Sequence, residues 1–101
     1  MIDMLTIHKF ALNAGVTVIE LPADAQVLTA QQHHGRASIW VKLDTDSPRV
    51  KRRFYLALTG EELPEYLNTA LYVGTVQAGG DMGFSLSGHI FEYFQPTKEE
   101  A

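Results

Sequence analysis

The chain has 101 residues, 46% apolar and 20% charged, with a formal net charge of −4 and no cysteine. That length fits one domain, and the lack of cysteine excludes disulfides, thiolate metal sites and a cysteine nucleophile together. No apolar run approaches the ~18 residues of a membrane span, and Met1-Ile2-Asp3-Met4 lacks the basic region of a signal peptide, so the expected compartment is the cytoplasm.

Apolar residues alternate with period two along most of the chain, and helical spacing is scarce. Thr6 to Leu12 and Val16 to Leu21 read as strands around Asn13-Ala14-Gly15, where glycine at the third loop position fits a left-handed residue of a hairpin. Pro22 ends the second strand because it cannot donate to a ladder. Ala25 to Gln32 is a third strand, and His34-Gly35 turns it into Arg36 to Leu43. Thr45-Asp46-Ser47-Pro48 leads to the long run Arg49 to Thr59, which Thr59-Gly60 breaks. One short helical turn is expected near 61–68, limited by Pro64. Leu71 to Ala78 and Phe84 to Phe94, joined at Gly79-Gly80-Asp81, form a last hairpin. The fold class is therefore all-β: about seven antiparallel strands in a small sandwich or partly open barrel over 1–95, with a solvated tail at 96–101.

Parity assigns faces within the strands. Ala37, Ile39, Val41 and Leu43 form one apolar set, with Ser38, Trp40 and Lys42 opposite. Val50, Phe54, Leu56 and Leu58 form another, with Arg49, Lys51, Arg53 and Tyr55 opposite, and Arg52 intrudes on the apolar side. If both sets face one core from adjacent strands, Ile39 opposes Phe54 and Leu43 opposes Val50. Trp40 then meets Arg53, Lys42 meets Lys51, Ser38 meets Tyr55, and Asp44 meets Arg49.

Charge is segregated along the chain. Residues 36–59 hold six of the eight bases against Asp44 and Asp46, while the remainder is strongly acidic. A duplex-binding footprint would be basic throughout, so duplex nucleic acid is not the expected partner. A local anion site fits better. In the expected register a guanidinium lies over an indole, which offers a stacking surface for a base and a charged hand for a phosphate. The candidate ligand-binding residues are Trp40, Arg53, Lys51, Arg49, Tyr55 and Lys42, with Thr75 or His89 for sugar hydroxyls. The same bases would equally serve an edge hairpin that resists aggregation.

Other constellations lack a needed residue. His33 and His34 are adjacent and point to opposite faces in extended chain, and His8 and His89 are isolated, so no metal site is expected. Asp44-Thr45-Asp46 resembles the start of a calcium loop but has Arg49 at the sixth place and Tyr55 at the twelfth. Gly83-Phe84-Ser85-Leu86-Ser87-Gly88 lacks the glycine of a nucleophile elbow at position 87. Gly74-Thr75 and Gly79-Gly80 do not make a phosphate loop, and Gly74 inside a strand allows a bulge or a close approach. No catalytic residue and no cofactor is expected. Aromatic residues on both parities of the last strand, Phe91 and Tyr93 among them, favour a homo-oligomer built through the terminal strands.

Several segments resemble a family of small uncharacterised proteins encoded by bacteriophages and prophages. They are His8-Lys9-Phe10, Val18-Ile19-Glu20-Leu21-Pro22, Ala25-Gln26-Val27-Leu28, Ile39-Trp40-Val41, Val50-Lys51-Arg52-Arg53-Phe54, Thr59-Gly60, Tyr72-Val73-Gly74-Thr75-Val76-Gln77 and His89-Ile90-Phe91-Glu92. The resemblance implies expression in the cytoplasm of an infected bacterium and a part in countering host defence. Two modes follow, sequestering a nucleotide-derived signal or masking a host defence protein, and the residues leave open a third reading, a small hydrolase with an unrecognised site.

Overall fold

The computed structural model describes residues 4–79 and 85–94. Seven strands run in chain order: β1 (Leu5–Ala11), β2 (Gly15–Pro22), β3 (Gln26–His33), β4 (Arg36–Asp44), β5 (Arg49–Leu58), β6 (Leu71–Gly79) and β7 (Ser85–Tyr93). A 3-10 turn, Glu65–Thr69, follows Pro64 at its start and supplies the expected helical element. The strands form two antiparallel sheets, one ordered β1-β4-β3 and the other β2-β5-β7-β6. The all-β reading stands, in its sandwich form. Gly80, Asp81 and Phe84 of the expected last turn, and the tail 96–101, lie outside the described residues.

Local chemistry explains the turns. His34 (φ 51°) and Gly35 (φ 78°) give the two left-handed residues of a two-residue hairpin loop between His33 and Arg36. Gly15 is also left-handed, at φ 77°. Its segment is not a hairpin, however, because β1 and β2 belong to different sheets and the chain turns a corner there. Asp44 Oδ1 accepts from Asp46 N at 3.0 Å and closes the loop before β5.

The core lies between the sheets. Ile39, Val41 and Leu43 of β4 face Phe54 of β5 and Ile90 of β7, all nearly inaccessible to water, with Leu12, Leu21 and Val76 around them. Full burial of such side chains stabilises by about 1.5–3 kcal/mol each before entropy is counted. Gly88 leaves room for Leu56: a Cβ there would sit 2.8 Å from Leu56 Cδ1, so that side chain would have to shift. Gly74 follows a register shift in β6, as a strand glycine allows, and its approach is to Ala30 of β3.

The face assignments hold, but the expected pairing of β4 with β5 does not. The β4 set and, from β5, Phe54 and Leu56 meet one core from opposite sheets, so the buried residues face each other across the interior instead of lying side by side. Val50 and Leu58, at the ends of β5, stay exposed by 45% and 40%. Trp40 pairs with Lys9 and Thr29, and Arg53 with Val18 and Tyr93. Lys42 opposes Ile7 and Gln26, while Lys51 opposes Glu20, so the expected repulsion between two lysines is absent. Ser38 and Tyr55 are likewise in separate sheets, and Arg49 pairs with Pro22, its guanidinium donating to the Glu20 carbonyl at 3.3 Å.

Candidate functional site

The two outer faces of the sandwich differ in what covers them. On the β1-β4-β3 sheet, residues alternating with the buried set point outward: Leu5, Ile7 and Lys9 from β1, Trp40 and Lys42 from β4, Thr29 and His33 from β3. Trp40 is half-buried and takes the edge of the His33 ring, centroids 6.1 Å apart at 88°. Lys9 Nζ donates to His33 Nδ1 at 2.7 Å, which leaves the ring proton of a neutral imidazole on Nε2. Desolvation holds the His33 pKa below its usual value, helped by the His34 and Lys9 charges. Lys42 is exposed on the same face, and Arg36 lies at its end, tied to Asn13 Oδ1 at 2.8 Å. Among the described residues, no element packs over this face.

The outer face of the second sheet is partly roofed. The 3-10 turn packs on β7, with its own Leu67 and Tyr93 of β7 buried. Tyr66 lies 4.8 Å from Tyr93 and 6.4 Å from Tyr55, ring centroid to centroid. Tyr55 donates to Glu61 Oε2 at 2.8 Å, and Glu61 Oε1 accepts from Leu58 N at 3.0 Å. Beside this roof, Thr59 Oγ1 lies 2.6 Å from His89 Nε2 and Thr75 Oγ1 lies 3.1 Å from His89 Nδ1, with the Tyr72 hydroxyl bonded to Thr75. Both nitrogens of His89 thus face hydroxyls.

The eight residues expected to form one site are split in two. Trp40 and Lys42 share the open face of the first sheet. Arg49, Lys51, Arg53, Tyr55, Thr75 and His89 lie on the outer parity of the second, across the core. Thr75 and His89 are brought together; Trp40 and Arg53 are not. His33 joins Trp40 through the β3–β4 hairpin, and Lys9 joins it because β1 flanks β4 on the other side, a pairing the chain order conceals. Arg52 and Glu92 were also missed as a pair. Arg52 Nε and Nη2 hold Glu92 Oε2 and Oε1 at 2.7 and 3.0 Å, while Nη1 donates to the Pro22 and Ala25 carbonyls at 3.2 and 2.6 Å. The signal was a base and an acid on the inward parity of their strands.

A two-sheet β domain of this size, with one partly roofed outer face and one open face bearing an indole among cations, defines a small sandwich with a candidate binding surface. The chain belongs to the family described as Domain of unknown function (DUF7352), which it matches over residues 4–100. No curated protein and no solved structure matches it significantly. No helix among the described residues is long and apolar enough to cross a membrane, and no group of three or more metal-ligating side chains occurs among them.

Proposed function

We propose that this protein is a non-catalytic binding protein for a small nucleotide-derived anion, held on the open face of the β1-β4-β3 sheet. The observation that carries this reading is Trp40, set mid-face with Lys9 directly opposite on β1 and Lys42 two residues along β4. An indole gives a base a sequence-tolerant stacking surface, and flanking ammonium groups attract phosphates. Arg53, Lys51, Arg49, Tyr55, Thr75 and His89 lie on the far side and take no part in this platform. The resemblance to small phage-encoded proteins gives the ligand a biological role: a host defence signal, sequestered unaltered in the cytoplasm of an infected bacterium.

Trp40 is the chain's one tryptophan, so its emission reports on the site directly. Titration with linear and cyclic nucleotides is expected to quench it saturably, with binding weakened by salt. Lys42→Ala should weaken binding several-fold, and Arg53→Ala should leave it unchanged. Emission unaltered by every nucleotide at millimolar concentration would rule out the reading. Recovery of a hydrolysed ligand from the complex would replace it with the hydrolase.

A further inference from the structure

The geometry points to β1 as a self-pairing edge through which two copies of this chain join their β1-β4-β3 sheets into one continuous sheet. Each sheet has two edge strands, and they are not equally protected. β3 and β6 carry register shifts, at Val27/Thr29 and Tyr72/Gly74, and β2 ends in Pro22. Bulges and prolines blunt edges against pairing. β1 has neither, and its register with β4 is unbroken from Leu5 to Ala11. Its outward apolar residues Leu5 and Ile7 are exposed by 54% each, and Met4 just before the strand by 60%.

The backbone fixes the register of such a pair. Met4 O accepts from Thr45 N and Leu12 N donates to Ala37 O, so the even-numbered residues turn their peptide groups toward β4. The N–H and C=O groups of Leu5, Ile7, Lys9 and Ala11 therefore point to the open edge, where no described residue pairs with them. A second β1 running antiparallel overlaps the whole strand only with His8 on the two-fold axis. Leu5 then pairs with Ala11 of the second copy and Ile7 with Lys9, and every outward peptide group of the strand finds a partner. Charge agrees with this register. Each Lys9 meets an isoleucine instead of another cation, and β1 contains no acid.

The buried area sets the strength. A strand of this length is about 23 Å long. A single edge ladder of that length is a small contact beside the ~1,200 Å² where standard stable interfaces begin, so the dimer is a reversible one. Joining the sheets also extends the open face: the row from Trp40 through Lys9 continues into Ile7 and Lys42 of the second copy. The inference concerns the edge and does not depend on what that face binds.

Sedimentation of the full chain from about 5 to 500 μM is expected to show a monomer–dimer equilibrium. Ile7→Pro should shift it to monomer, because the lost N–H faces the open edge and the ladder to β4 stays intact. Unchanged circular dichroism and Trp40 emission verify the fold. Ile7→Lys, which sets a third cation beside Lys9 and Lys42, should weaken pairing as a second test. The chain has no cysteine, so His8→Cys adds a single thiol. At the axis the two Cα atoms of a non-hydrogen-bonded pair lie about 4.5 Å apart, within disulfide reach. Mild oxidation should link H8C chains, and T6C chains, whose thiols are offset along the strand, should remain single. A monomer throughout the concentration range overturns the inference. So does a dimer that survives Ile7→Pro without linking through H8C.

Discussion

The outer faces of the two sheets were built from similar raw material and reached different states. Each offers aromatic and cationic side chains at alternate positions. On the β2-β5-β7-β6 sheet the 3-10 turn folds back, Tyr93 falls to 3% exposure, and Tyr55 is tied to Glu61. On the β1-β4-β3 sheet no such segment covers Trp40, and its companions Lys9 and Lys42 remain at the surface. The roofed part of the second face acts as a small second core, and the open face of the first remains available for contact. The cost of truncating side chains measures that distinction.

The largest effect belongs to the tie inside the second sheet. Arg52 and Glu92 keep only 14% and 6% of their side-chain surface exposed, and Arg52 also holds the turn between β2 and β3. Removing one partner leaves a charge uncompensated, so Arg52→Ala or Glu92→Ala should lower unfolding stability by about 3–5 kcal/mol in urea titration. Next comes the direct comparison of faces. Tyr93→Ala empties a covered position and should cost about 3 kcal/mol. Trp40→Ala truncates the larger residue, yet it should cost less in the same titration, because its surroundings are open. Equal costs would break the contrast.

Packing on the inner face of the second sheet gives a smaller effect. Gly88→Ala pushes a methyl against Leu56 and should cost about 1–3 kcal/mol, read as a lowered thermal midpoint. A neutral result would mean that Leu56 turns aside easily.

Face assignment was legible in the residues because alternation fixes it within a strand. Ile39 and Phe54 point to the core as their parity requires. The neighbour of a strand is not encoded that way: a meander and a sandwich impose the same alternation on β4 and β5, and only the crossover at Thr45–Pro48 separates them. The expected meeting of Trp40 with Arg53 failed for that reason alone. Arg52 shows the converse. On its apolar parity it broke the pattern, and the violation marked a buried ion pair with Glu92. The His34-Gly35 turn did place β3, and with it His33, beside β4, but Lys9 carried no such mark, since nothing in the order of the chain says that β1 flanks β4.

The smallest expected effect tests the open face by pH. His33 has a pKa held below the usual 6.5, chiefly by desolvation, with the His34 and Lys9 charges adding to it. Below pH 6.5 the unfolded chain takes up a proton at this site that the folded chain resists, so folding stability falls as pH drops toward the folded value. Above 6.5 both states are neutral there and the contribution is constant. Lys9 donates to Nδ1 and Trp40 lies against the ring, so protonation should also free Lys9 and alter the indole emission. Stability and emission measured between pH 7.5 and 5 should therefore change together. His33→Gln should flatten the emission change and reduce the slope of stability. If the variant keeps the full emission change, His33 does not control the surroundings of Trp40, and the open face is not organised around that pair.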